Sequence, residues 1–243
     1  MAFGRDNNPF GAQRMTTAQA EAAQIDVGLR RYMLRVYNYM ASGVALTGIV
    51  AAATVQSETL MLMIFGTPLK WVVMLSPLAF MLVLSFGINK MKASTAQAVF
   101  WLFAAVMGLS LSAIFVVFTG TSIARVFFIT AGTFAAMSLY GYTTKRDLSG
   151  LGSFLFMGLI GVIIAMVVNL FLASSALHFV ISVVGVLVFV GLTAYDTQKI
   201  RNEYNEFDSG EIATKKAVYG AVRLYLDFIN LFIMLLHLFG NRN

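Results

Sequence analysis

The chain has 243 residues, of which 59% are hydrophobic and 12% charged; its mean hydropathy is +0.80 and its formal charge +6. A soluble domain is about 25% charged and needs those groups to cover its surface, so eleven acids and seventeen bases exclude an ordinary soluble fold. The absence of Cys excludes disulfides, thiol chemistry and Cys-type zinc sites.

Met1 to Gln24 is polar, rich in Ala, Gln and Asn, and contains Pro9. It lacks the apolar core and small-residue cleavage site of a signal peptide. Residues 1–29 are therefore read as a mobile cytoplasmic tail, and 30–243 as one transmembrane domain. A membrane span takes about 20 mostly apolar residues. Seven such runs follow: Tyr37 to Val55, Trp71 to Ile88, Ala98 to Phe118, Ile123 to Tyr140, Leu151 to Leu172, Leu177 to Thr197, and Ala217 to Phe239. The longest connection, Gln198 to Lys216, carries four acids and is expected to extend its two flanking helices.

β-Barrel spans alternate apolar and polar residues. Val180 to Gly191 is apolar on nearly every side, so an all-α membrane protein of seven helices is expected. Small residues recur at helical spacing: Ala104, Gly108 and Ser112, then Ala131 and Ala135, then Gly158 and Gly161. Such stripes either line a pore or let helix backbones approach, and ordinary packing is the commoner use. Pro77 lies inside the second span as a gating kink or, more commonly, a fixed one satisfied by packing. Trp71 and Tyr140 fit an aromatic belt.

Basic residues set the orientation. In a seven-span arrangement thirteen lie on the N-terminal side: Arg5, Arg14, Arg30, Arg31, Arg35, Lys90, Lys92, Lys145, Arg146, Lys199, Arg201, Lys215 and Lys216. Only Lys70, Arg125 and Arg242 lie opposite. The N-terminus is placed in the cytoplasm and the C-terminus outside. The positive charge then faces an anionic leaflet, and no nucleic-acid motif accompanies it.

Nine of the eleven acids sit in the tail or loops. The exceptions are Asp196 near the end of the sixth span and Asp227 in the seventh. A carboxylate at membrane depth costs about 2.5–3.5 kcal/mol and is a functional candidate by default. Each has a plainer reading. Asp227 can pair with Arg223 one turn earlier. Asp196 can be a helix-end acid in interfacial water. A simple residue count leaves the two about 15 Å apart in depth, unless the seventh helix starts well before the membrane. Asn230, one turn from Asp227, is a candidate support. Asn169 is read as bonding a neighbouring helix. His178 and His237 fall near the outer face; as a metal site they lack further ligands, and interfacial histidines are the commoner case.

Enzyme signatures are missing. There is no GxxxxGK[ST], HExxH or GxSxG. Tyr195-Asp196 matches half of an intramembrane aspartyl protease pair, but Asp227 follows Leu226 with no Gly close before it. The chain is not expected to be an enzyme.

Asp196-Thr-Gln-Lys-Ile200 and Leu224-Tyr-Leu-Asp-Phe-Ile-Asn-Leu-Phe232 resemble the paired motifs of the Bax inhibitor-1 family, also called the transmembrane Bax-inhibitor-motif family. Leu34-Arg-Val-Tyr-Asn-Tyr-Met40 and Tyr140-Gly-Tyr-Thr-Thr-Lys-Arg-Asp-Leu-Ser149 add to the likeness, which covers about residues 30 to 239 and fits the bacterial branch. The resemblance implies a last helix at the centre, wrapped by the other six. It implies a pH-sensitive calcium leak across the bacterial inner membrane, governed by two aspartates that map onto Asp196 and Asp227. Some members pair this dyad with an Arg on the second helix. Here that span has none, and only Asn89 and Lys90 lie near its end; Lys offers a point charge but no fork.

Physical chemistry agrees with the analogy. Two carboxylates held close in low dielectric share a proton and titrate as a pair. The expectation is a hydrogen bond across the two helices that holds the cytoplasmic end shut. Calcium takes about six to eight oxygens. Two carboxylates, Asn230 and backbone carbonyls make only a weak, transient site, which suits passage. One rival is a transporter coupling protons to a solute through the same acids. Another is a non-conducting regulator of a membrane-anchored ATP-dependent protease, engaged through the tail.

Overall fold

The computed structural model describes residues 17–88 and 90–243, with side chains from position 25 onward. Eight helices are described: α1 (Thr17–Val55), α2 (Glu58–Phe65), α3 (Leu69–Gly87), α4 (Ala93–Val117), α5 (Gly120–Thr143), α6 (Ser149–Leu172), α7 (Ser175–Asn202) and α8 (Gly210–Phe239). Seven of these are long and apolar enough to cross a bilayer, and α2 is the short exception. The chain is thus an all-helical membrane protein with seven spans, as composition requires.

Two boundaries differ from expectation for local reasons. Residues 17–29, read from the sequence as tail, are the start of α1. Thr17 to Gln24 is rich in Ala and Gln and carries Glu21, and these are strong helix formers once a long helix follows. Arg5, Arg14 and the rest of 1–16 lie outside the described residues, as does Asn89. Glu58 to Phe65 folds as α2 because Ser57 caps it, its hydroxyl accepting from the N–H of Leu60 at 3.3 Å. The hydroxyls of Thr119, Ser174 and Ser209 start α5, α7 and α8 in the same way.

Helix α8 is the core. Of the residues in its apolar stretch 61% are buried, against 11% in α6. It packs against α1, α3, α4, α5 and α7, while α6 packs chiefly on α7. Five helices thus touch α8, where the resemblance implies six, and α6 lies against α7. Tyr225 ties the centre together. Thr47 Oγ1 donates to the carbonyl of Ala104 at 2.8 Å, so the Tyr225 hydroxyl, 2.6 Å from Thr47, is the donor of that second bond. Phe103 and Phe100 meet the Tyr225 ring edge-on at 5.2 and 6.3 Å.

The small-residue stripes divide. Ala104, Gly108 and Ser112 are buried, and a methyl group added at Gly108 would lie 2.7 Å from the carbonyl oxygen of Thr47. That stripe lets α1 and α4 approach. In α6, Gly158 faces Val188, while Gly161 faces open space. Ala131 and Ala135 line a groove between α1 and α5.

Pro77 is buried in α3. It removes the donor that the carbonyl of Val73 would otherwise receive. Ser76 donates to that carbonyl at 2.9 Å, and Ser110 of α4 donates to it as well. Two hydroxyls therefore satisfy the carbonyl that Pro77 frees. Asn169 closes the α6–α7 turn, its side-chain oxygen accepting from the N–H of Ser174 at 3.0 Å, rather than bonding a neighbouring helix. Trp71 and Tyr140 are exposed on the outside of the bundle, where a belt requires them.

Candidate functional site: two acids at the α7–α8 seam

The register of α7 against α8 is fixed by close approach. A methyl group at Gly220 would lie 3.0 Å from Ile200, and one at Gly185 would lie 2.9 Å from the Met234 sulfur. Between these points Asp196 stands level with Leu224, and Asp227 is three residues further in, about 4.5 Å at helical rise. The 15 Å mismatch of the residue count is gone. It disappears because α8 begins at Gly210, well before the apolar stretch, and α7 runs on to Asn202.

Asp227 is buried, 5% exposed, and its Oδ2 has no hydrogen-bond partner. Asp196 is half-buried and within Coulombic range of it. Arg223, Lys199 and Glu203 also act on Asp196, and Arg223 on Asp227. The structure brings the two acids to one seam but holds no direct hydrogen bond between them among the described residues. The three-residue offset is the physical reason. A buried carboxylate oxygen without a donor is costly; a proton or a cation removes that cost.

The expected supports are placed elsewhere. Arg223 donates to Glu203 at 3.2 Å and lies 4.9 Å over the Tyr219 ring, so it is not the partner of Asp227. Asn230 donates to the carbonyl of Leu226 at 2.8 Å, a bond within its own helix. Lys90 is exposed in the turn after α3. Among the described residues no three His, Asp or Glu side chains are grouped to hold a metal ion.

Each neighbour of Asp196 has work of its own. Thr197 and Ser138 of α5 share a hydrogen bond of 2.9 Å, and Ser138 and Tyr37 of α1 share one of 2.6 Å. Gln198 pins the α5–α6 loop to α7. It accepts from the N–H of Leu148 at 2.9 Å and donates to the carbonyl of Arg146 at 2.8 Å. Ile200 is fully buried against Gly220. Lys216 bonds Asp208 at 2.6 Å and the carbonyl of Glu203 at 3.0 Å, which closes the α7–α8 connection. In the sequence Glu203, Lys216 and Asp208 read only as loop charges. Their signal is that they flank helices long enough to bring them together.

At the opposite end His178 and His237 meet, ring centroids 4.7 Å apart. Phe118 lies on His237 at 6.1 Å and Arg242 over Phe118 at 5.9 Å. The C-terminal residues are tied to the α4–α5 turn, the Thr119 N–H donating to the carbonyl of Asn241 at 3.0 Å and the Asn243 N–H to that of Val117 at 3.0 Å.

Fold and site define a seven-span helical membrane protein with a buried acid and a half-buried acid at the seam of its last two helices. The family model described as inhibitor of apoptosis-promoting Bax1 matches residues 29–243. The chain belongs to the Bax inhibitor-1 family. It is 49% identical over 226 residues to the uncharacterized protein RP147 of Rickettsia prowazekii, covering 93% of this chain and 96% of that one. It is 49% identical over 218 residues to the inner membrane protein YbhL of Escherichia coli K12, covering 88% and 93%. An uncharacterized protein of Caulobacter vibrioides is 42% identical over 240 residues, covering 95% and 96%.

Proposed function

We propose that the chain is a pH-controlled calcium leak of the bacterial inner membrane, with Asp196 and Asp227 as its proton-sensing gate. The observation that carries this reading is the buried, unpartnered Oδ2 of Asp227, with Asp196 about one turn away on the adjacent helix. In one state the acids share a proton, which neutralises the seam and lets α7 and α8 stay closed. Loss of that proton places two like charges within a turn of each other and favours their separation. The same oxygens then offer a passing cation a weak site, short of the six to eight oxygens that calcium takes.

Membrane placement follows the base distribution. The N-terminus lies in the cytoplasm and the C-terminus outside. The name of the Escherichia coli relative supports the inner membrane. Glu203, Arg223 and the Lys216–Asp208 pair hold the cytoplasmic end of the seam. The chain does no covalent chemistry in this account; protons and calcium are its ligands, and the bilayer its solvent.

Purified full-length chain in liposomes loaded with a calcium dye, assayed over a pH series, tests this. The reading requires calcium entry above protein-free liposomes that varies with pH. No flux at any pH overturns it and leaves a regulatory role, for which a membrane protease is the partner to test. Calcium accumulation against its gradient overturns it in favour of a proton-coupled transporter.

A further inference from the structure

A groove of about 630 Å³ opens between α1 and α5. Arg30 and Tyr142 stand at one end, Val44 and Phe127 at the other, and Ala131 and Ala135 line its floor. Phe228 of α8, edge-on to Phe127 and Phe134 with centroids 5.6 Å away in each case, closes the back. The wall is apolar almost throughout. From Arg30 to Val44 it runs about 21 Å at helical rise. That matches one bilayer leaflet with its headgroups, about 20–22 Å.

The charges are at one end. Arg30 has no ion-pair partner among the described residues. Past Tyr142 the chain continues through Lys145 and Arg146, and Arg201 donates to the carbonyls of Tyr142 and Thr144. The acids near this mouth are Asp26, exposed one turn before Arg30, and Asp147, whose carboxylate accepts from Ser149.

We propose that this groove is a binding site for one anionic phospholipid of the leaflet at the Arg30 end, with an acyl chain along Ala131 and Ala135 and the phosphate at Arg30. Groove length and the one-ended positive charge select this occupant. An apolar helix from a partner would leave Arg30, the charged residue of the lining, without complement. The groove also reaches the gate. Its lining includes Tyr37 and Ser138, whose hydroxyl chain ends at Thr197 beside Asp196, and Phe228 beside Asp227. The proposal itself does not depend on calcium leak.

The test uses the full chain in vesicles containing phosphatidylglycerol with a photoactivatable group on its acyl chain, and matched vesicles with phosphatidylcholine carrying the same group. Adducts are mapped by peptide mass spectrometry. Groove residues such as Met33, Met40 and Phe127 should be labelled in excess over the exposed face of α6 at Phe154 and Leu170. Phosphatidylglycerol should exceed phosphatidylcholine in the groove by about fivefold, the effect of one Arg at an anionic surface. Ala135→Trp should remove groove adducts and leave those on α6. Arg30→Gln, on an exposed side chain that the fold does not need, should erase the headgroup preference alone. Labelling spread evenly over groove and α6 means surface lipid only and overturns the proposal. Equal capture of both lipids in the wild-type groove overturns the choice of an anionic occupant.

Discussion

Arg223 reaches across from α8 to Glu203 at the end of α7, at 3.2 Å, and not along its own helix to Asp227. The guanidinium therefore acts as a clasp between the two helices that carry the acids, and Asp227 keeps a carboxylate oxygen unbonded. With both side chains partly exposed, such a pair contributes roughly 0.2–1 kcal/mol. Arg223→Gln and Glu203→Gln should each raise calcium leak at fixed pH by up to about fivefold, the rate equivalent of that energy. The double variant should match the singles, because both remove the same clasp. Liposome flux of the three variants checks this, and additive effects would separate the two residues.

The register that brings Asp196 level with Leu224 also fixes which loops share a side. A single Cys at Ser209, exposed at the start of α8, should be labelled by an impermeant thiol reagent only from the cytoplasm. A Cys at Ser175 or Asn243 should be labelled only from outside. The chain has no native Cys to interfere. Labelling at position 243 from the cytoplasm would contradict seven crossings.

Thr47 and Tyr225 give an asymmetric pair of substitutions. Tyr225→Phe removes one buried hydrogen bond and leaves Thr47 bonded to Ala104, for a cost of about 0.5–1.5 kcal/mol. Thr47→Val leaves the buried Tyr225 hydroxyl without a partner, at about 1–3 kcal/mol, while the Ala104 carbonyl keeps its bond within α4. Thermal unfolding in detergent should therefore rank Thr47→Val clearly below Tyr225→Phe. Equal midpoints would mean that the Tyr225 hydroxyl carries no such debt.

Asp147 supplies a control for pH. Hydrogen bonds from the Ser149 hydroxyl at 2.7 Å and its N–H at 2.9 Å hold this carboxyl below its ordinary value of 3.8. A group lowered on folding contributes stability above its unfolded value and loses it as pH falls through the folded one. Asp147 thus stays ionised near neutrality. Asp147→Asn should leave the leak profile unchanged between about pH 6 and 8. A flattened profile in that variant would move the sensor to the loop.

Much of this was legible in the sequence because lipid makes the rules few. Apolar length gave the spans, and two acids inside them gave the seam. The motif Asp196-Thr-Gln-Lys-Ile200 marked the right turn of α7 but not the separate task of each residue. Thr197 and Gln198 act through Ser138 and Arg146, more than 50 positions away, and no local pattern encodes such partners. The Arg223–Asp227 spacing allowed an intrahelical pair; a long helical extension on both sides of the loop brought Glu203 closer instead. Ala131 and Ala135 read as a packing stripe, as Ala104 and Gly108 do. Only the tertiary arrangement shows that one stripe meets a helix and the other a groove.

Calcium leak of Asp196→Asn and Asp227→Asn in dye-loaded liposomes, measured across about pH 6 to 8 where a close carboxylate pair is expected to titrate, tests the gate most directly. Asn keeps the shape and much of the hydrogen bonding while removing the titration, so both variants should fold. Each should lose most of the pH dependence, and the double variant should resemble either single one, because the proton belongs to the pair. If both single variants keep the wild-type profile, Asp196 and Asp227 are not the gate.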